Sequence, residues 1–187
     1  MYRTWSCSTV DGLELPVWDL AGVPGGPTML WLHDHGESRI SALVGIESWL
    51  SWCGRVVLVD LRGHGDAPGA CTLGRREGED VDRLLDRIDD ERVILAGRGF
   101  GGALALDAAR RHDDLAVWAV APRLNLGVEI STTLRAHHLP SWPLSALVVS
   151  AASLLGHQPI DSDDVQADER IRIIDVDVPI PDGPWWP

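Results

Sequence analysis

The chain has 187 residues, with 16 Lys+Arg against 28 Asp+Glu and a formal net charge of −12 at pH 7. That length suits one domain of about 100–200 residues with its own apolar core, and 45% apolar with 24% charged residues is a soluble, globular balance. A pI near 4.8 argues against the broad basic surface that nucleic acid requires; no run reaches the roughly 20 apolar residues of a membrane span, and Met1 to Asp11 lacks the pattern of a signal peptide.

Residues 3–10 and 13–19 read as two short strands joined at Asp11-Gly12, a dipeptide suited to a tight hairpin turn. After a Gly/Pro loop, Thr28 to Leu32 is a compact apolar run of the kind that forms a strand buried on both faces. Leu43, Val44, Ile46, Trp49 and Leu50 fit one amphipathic helix ending near Gly54, and Arg55 to Asp60 is a second buried strand. Glu77 to Asp90 is predicted helical, because Val81, Leu84, Leu85 and Ile88 recur at the spacing of one helix face. Val93 to Ala96 is a third buried strand, followed by a glycine cluster and an Ala-rich helix over Ala103–Arg111; Leu115 to Ala121 makes a fourth. Pro122 to His138 reads as a loop with one short helix. Leu144 to Ser150 and Ile171 to Val178 read as two further strands.

Strand and helix alternate from Thr28 to Ala121, which predicts an α/β fold, a mostly parallel sheet with helices on both faces in a three-layer sandwich. Ligands of such sheets bind at the carboxyl ends of the strands. The informative loops, His33–Ser38, Arg62–Pro68 and Gly97–Gly102, all fall there. All 16 basic residues are Arg, and nine Trp supply most of the aromatic content. Cys7, Cys53 and Cys71 are odd in number and widely spaced, which fits neither a disulfide framework nor a zinc motif and predicts reduced thiols in a cytoplasmic protein.

Three segments carry a family likeness in the right order: LWLHDHGES at 30–38, VVLVDLRGHGDAPG at 56–69, and VILAGRGFGGALAL at 93–106. Through them the chain resembles the α/β-hydrolase superfamily, clearly over residues 1–121 and more weakly beyond, in its lysophospholipase-like and serine-aminopeptidase-like members. The resemblance implies one domain over 1–187. Residues 1–121 hold the core sheet, 122–143 form a short connector in place of a cap, and 144–187 carry the last two strands and an acidic, Trp-ended tail.

The same resemblance puts the nucleophile at the middle of the Gly-x-Ser-x-Gly elbow. Here the five residues are Gly97-Arg98-Gly99-Phe100-Gly101, so that position is Gly99, which has no side chain to attack an acyl carbon. Arg98 cannot substitute, since its guanidinium stays protonated. The two backbone N–H groups that hold the developing negative charge in the family fall at His35 and Phe100. The glycine expected after His33 is Asp34, a carboxylate that opposes an oxyanion if it points inward. The family's acid should follow the seventh strand, near Ala152, where no carboxylate stands. The catalytic histidine should follow the eighth, among Ile180 to Gly183, where Asp182 is the only polar side chain and no histidine stands; the last histidine, His157, comes too early.

These observations predict a hydrolase fold without serine-hydrolase catalysis, acting as a binding or regulatory protein with a small-molecule ligand at the strand carboxyl edge. The competing expectation is an active ester or acyl hydrolase with a displaced nucleophile, Ser38 or Cys71, and His33, His35 or His64 as base. His33, Asp34, His35 and His64 have metal-ligating chemistry, but in the family the histidines corresponding to His33 and His64 are commonly structural, and the sequence assigns no metal or cofactor. An exposed sheet edge or the Trp-rich tail is compatible with a homodimer.

Overall fold

The computed structural model describes residues 2–122, 131, 134, 135, 138–154 and 169–174. Its frame is a seven-stranded sheet in the order β1-β2-β4-β3-β5-β6-β7. The strands are β1 (Tyr2–Ser8), β2 (Glu14–Ala21), β3 (Thr28–Leu32), β4 (Arg55–Val59), β5 (Val93–Arg98), β6 (Ala116–Val120) and β7 (Ile171–Ile174). The β1–β2 hairpin and the β2–β4 pair are antiparallel. From β4 through β3, β5 and β6 to β7 every pairing is parallel.

Side chains alternate across each strand, and both sheet faces are apolar. Met29, Trp31, Val56, Leu58, Ile94, Ala96 and Trp118 pack on one face with Trp49 of helix α1 (Ile46–Leu50) and with Trp52. On the other, Leu30, Leu32, Val57, Val59, Leu95 and Val117 meet helices α2 (Glu77–Ile88) and α3 (Phe100–Ala109). Helix α2 buries Val81, Leu84 and Ile88, as its spacing predicts. Glu77, Glu79 and Asp80 in its first turn and Arg87 in its last complement the helix dipole. The α/β three-layer architecture and the buried strands are as the sequence predicts.

Three elements differ from the reading of the sequence. The single helix over 43–50 is divided into a 3-10 turn, Arg39–Leu43, and α1, because Gly45 turns the chain at φ +108 and Val44 is exposed. Leu144–Leu154 is a helix, α4, where a strand is predicted over 144–150. Its apolar run carries no period that separates strand from helix. Pro143 stands where proline favours helix initiation, and the Leu147 N–H donates to its carbonyl at 3.0 Å. Finally, Ile171–Ile174 lies beside β6, with Val117 opposite Ile171 and Val120 opposite Ile174. It therefore fills the seventh place in the sheet, not the eighth.

From β3 the chain moves outward to β4, then crosses back over β3 to β5. The loops after β3 and β5 diverge at this switch point, which is where open α/β sheets hold their ligands.

Candidate active site

The elbow is built by β5 running directly into α3. Gly99 separates them at φ +54, ψ −115, with its N–H donating to the Val120 carbonyl at 2.9 Å. A side chain is strained at such a positive φ, whereas glycine adopts it freely. The helix also approaches the sheet closely: a Cβ on Gly101 falls 2.3 Å from the Leu32 carbonyl oxygen. Glycine at 101 is thus what lets the first turn of α3 lie against the end of β3.

The space beside Gly99 is occupied. A Cβ built there lands 2.1 Å from both Cγ and Oδ1 of Asp34, and 2.3 Å from Oδ2. The same Oδ1 accepts the N–H of His35 at 2.7 Å and the N–H of Phe100 at 2.8 Å. Asp34 therefore projects inward and lies across the position from which an elbow side chain would emerge. Its carboxylate occupies both backbone donors that the resemblance assigns to an oxyanion. Above it, Arg98 pairs with Glu37, and Glu37 also accepts from Ser41 Oγ at 3.0 Å. The elbow and the loop after β3 are thereby held together on their exposed side.

His33 is wholly engaged in structure. It is fully buried, its Nδ1 lies 2.7 Å from the Asp34 carbonyl oxygen, and its Nε2 accepts the Leu61 N–H at 3.0 Å. This pattern requires the neutral ring with the proton on Nδ1, and burial, followed by the nearby His64, holds its pKa below the ordinary 6.5. The unfolded state consequently binds more protons between those two values, so stability is complete above about pH 6.5 and falls on acidification. The expected result is a melting temperature that drops from pH 7.5 to pH 5. His33→Asn should be less stable at pH 7.5 yet show a shallower pH slope, as read by thermal denaturation.

His64 is buried with Nδ1 3.0 Å from the Arg62 carbonyl oxygen. His35 is exposed and meets the rings of His64 and Phe100 edge-on, at centroid distances of 5.1 and 6.3 Å. Ser38 precedes the 3-10 turn, half-buried, and its carbonyl accepts from Ser41 Oγ at 2.8 Å. Cys71, in contrast, comes close to His35 and His64. The loop after β4 doubles back, with the Gly63 N–H donating to the Pro68 carbonyl at 3.1 Å. Burial pushes the Cys71 thiol up to about 11, which keeps it protonated near neutrality and opposes a nucleophilic role.

Ala152 lies within α4, where a strand over 144–150 is predicted from the sequence. With Ile171–Ile174 in the seventh place of the sheet, the residues that follow this strand in the sequence include Asp175 and Asp177. These two and Asp182 lie outside the described residues. Among the described residues, no helix is long and apolar enough to cross a membrane.

The profile of the alpha/beta hydrolase family matches residues 20–184, and the chain belongs to that family. Over 100 residues it is 33% identical to the dihydrolipoyllysine-residue acetyltransferase component of the acetoin cleaving system of Pseudomonas putida; the match spans 52% of this chain and 27% of that protein. Among solved structures it is similar to an esterase of Pyrococcus furiosus, with TM-score 0.65 and 22% identity, covering 86% of this chain and 64% of the other. A proline iminopeptidase-related protein of Thermus thermophilus superposes with TM-score 0.63 and 26% identity, covering 76% and 52%. The chain thus spans about a quarter of the curated relative it matches and under two thirds of that esterase.

Proposed function

We propose that this chain is a capless α/β-hydrolase-fold protein that does not carry out Ser-His-Asp acyl transfer and serves as a binding or regulatory protein, with a small-molecule ligand at the carboxyl edge of the sheet. The lysophospholipase-like and serine-aminopeptidase-like branch is the part of the family its motifs resemble. The observation that carries this reading is the Asp34 carboxylate, bound to the N–H groups of His35 and Phe100 in the space beside Gly99.

Acyl transfer needs an attacking atom at the elbow and free donors about 2.7–3.1 Å from the forming oxyanion. Gly99 supplies no attacking atom. A carboxylate on the donors replaces the anion they would stabilise and repels a second one.

Assay of the purified chain against short-chain p-nitrophenyl esters and acyl thioesters should give rates at the blank. Turnover well above blank that is lost in Phe100→Asp would overturn the reading.

A second reading, an acyl hydrolase with Cys71 as displaced nucleophile, is favoured only by the nearness of Cys71 to His35 and His64. Its raised thiol pKa counts against it. Stoichiometric labelling of Cys71 by iodoacetamide with parallel loss of esterase activity would establish it.

A further inference from the structure

We propose that His35, His64 and Cys71 form a binding site for a borderline-soft divalent metal ion of the zinc class, beside the elbow and separate from its chemistry. Each residue offers one ligand atom, and the three atoms lie within 4.8 Å of one another. They come from two loops at the carboxyl edge of the sheet, one after β3 and one after β4. Thiolate with imidazole is a donor set that selects zinc and its neighbours over magnesium or calcium.

One of the three ligands is already oriented, and the chain beside a second is fixed. The Arg62 carbonyl takes the Nδ1 proton of His64, which leaves Nε2 with the lone pair a metal requires. Fixing one ring nitrogen in this way is how metal-bound histidines are held in the correct tautomer. The backbone that follows Cys71 is held by Glu77, which is fully buried. Glu77 accepts the Thr72 N–H at 2.5 Å, the Thr72 hydroxyl at 2.6 Å and the Gly74 N–H at 2.9 Å, fixing the chain immediately after the cysteine.

The third ligand is the adjustable one. Tetrahedral zinc, with bonds of about 2.0–2.3 Å, spaces its ligands by about 3.3–3.8 Å. Closing from 4.8 Å thus takes about 1 Å of inward movement, which the exposed His35 side chain supplies. Three protein ligands leave a fourth position, open to water on the His35 side. Binding replaces the thiol proton of Cys71, which leaves to solvent, by the metal–sulfur bond. His33, a metal-ligating residue type in the same loop, takes no part, because both of its ring nitrogens are committed to backbone partners, and Asp34 is not among the three residues whose ligand atoms converge.

Titration of the untagged, reduced chain with Co2+ tests the site. The expected result is a near-ultraviolet thiolate-to-cobalt absorption that saturates at one equivalent and is abolished by Zn2+. Cys71→Ser should remove the band. His35→Ala should weaken binding at least about tenfold, since loss of an outer-shell partner alone costs about 10–100-fold. Zn2+ should also protect Cys71 from iodoacetamide. Absence of the thiolate band at saturating Co2+, or equal affinity in His35→Ala, would overturn the proposal. If Cys71→Ser does not fold, His35→Ala still decides, because that exposed side chain can be removed without opening the core. None of these outcomes bears on ester hydrolysis, so the metal site and the Asp34-filled elbow stand or fall separately.

Discussion

Gly99→Ser alone is expected to yield a less stable protein that still fails to hydrolyse esters. The new Cβ must share space with the Asp34 carboxylate, whose Cγ lies 2.1 Å from the position it would take, and the residue must hold φ +54. Such backbone strain costs about 1–3 kcal/mol before the displaced carboxylate is counted. Asp34→Gly on its own is destabilising for another reason, since it strips the N–H groups of His35 and Phe100 of their acceptor. Leaving a poorly solvated donor unpaired costs about 1–3 kcal/mol. Combined, the two changes remove the collision, so the double variant should be more stable than the sum of the single effects predicts. A double-mutant cycle by urea denaturation should show a coupling of about 0.5–3 kcal/mol, the range for residues in contact. Additive effects, or a Gly99→Ser protein as stable as the parent and active on p-nitrophenyl acetate, would show that Asp34 does not fill this space in solution.

The largest loss of stability is expected from Arg62→Met. The Arg62 guanidinium is buried and forked onto two carboxylates. Its Nε and Nη2 meet Asp80 at 2.6 and 2.7 Å, and Nη1 and Nη2 meet Asp11 at 3.0 Å each. One side chain thereby joins the loop after β4 to the first turn of α2 and to the β1–β2 turn. Asp80, 1% exposed, first loses hydration and is then compensated by Arg62. Without Arg62 it is a buried, uncompensated acid. Removing one member of such a pair costs about 3–5 kcal/mol, whereas replacing both by apolar groups can be close to neutral. Arg62→Met should therefore lower the urea midpoint strongly, and Arg62→Met/Asp80→Leu should recover most of the loss. Equal midpoints for the single and double variants would refute this account.

Local sequence carried the middle of the fold because each buried strand is a short run bounded by turn residues and α2 has an unbroken helical period. It failed at Leu144–Leu154, where Leu-Ser-Ala-Leu-Val-Val-Ser suits either element and only the neighbouring proline favours a helix. It failed again at Ile171–Ile174, because a strand's place in a sheet is fixed by its partner, here β6, and that pairing is not written locally. At the elbow, Gly99 and the alteration at Asp34 were both legible, but the direction of the Asp34 side chain was not: it depends on donors contributed by the adjacent His35 and by Phe100, which lies 66 positions away. Cys71 shows the same limit. Its nearness to His64 arises from a loop folding back on itself, marked in sequence only by Pro68-Gly69.

Asp34 and Gly99 claim one volume, and this makes the order of substitutions matter. A serine fits at position 99 only after position 34 has given up its carboxylate, and that carboxylate is tolerated only while position 99 is bare. Each residue latches the other. A library that samples single changes from this chain thus meets a ratchet against any side chain at the elbow, and only one varying both positions together can place a serine there without the collision.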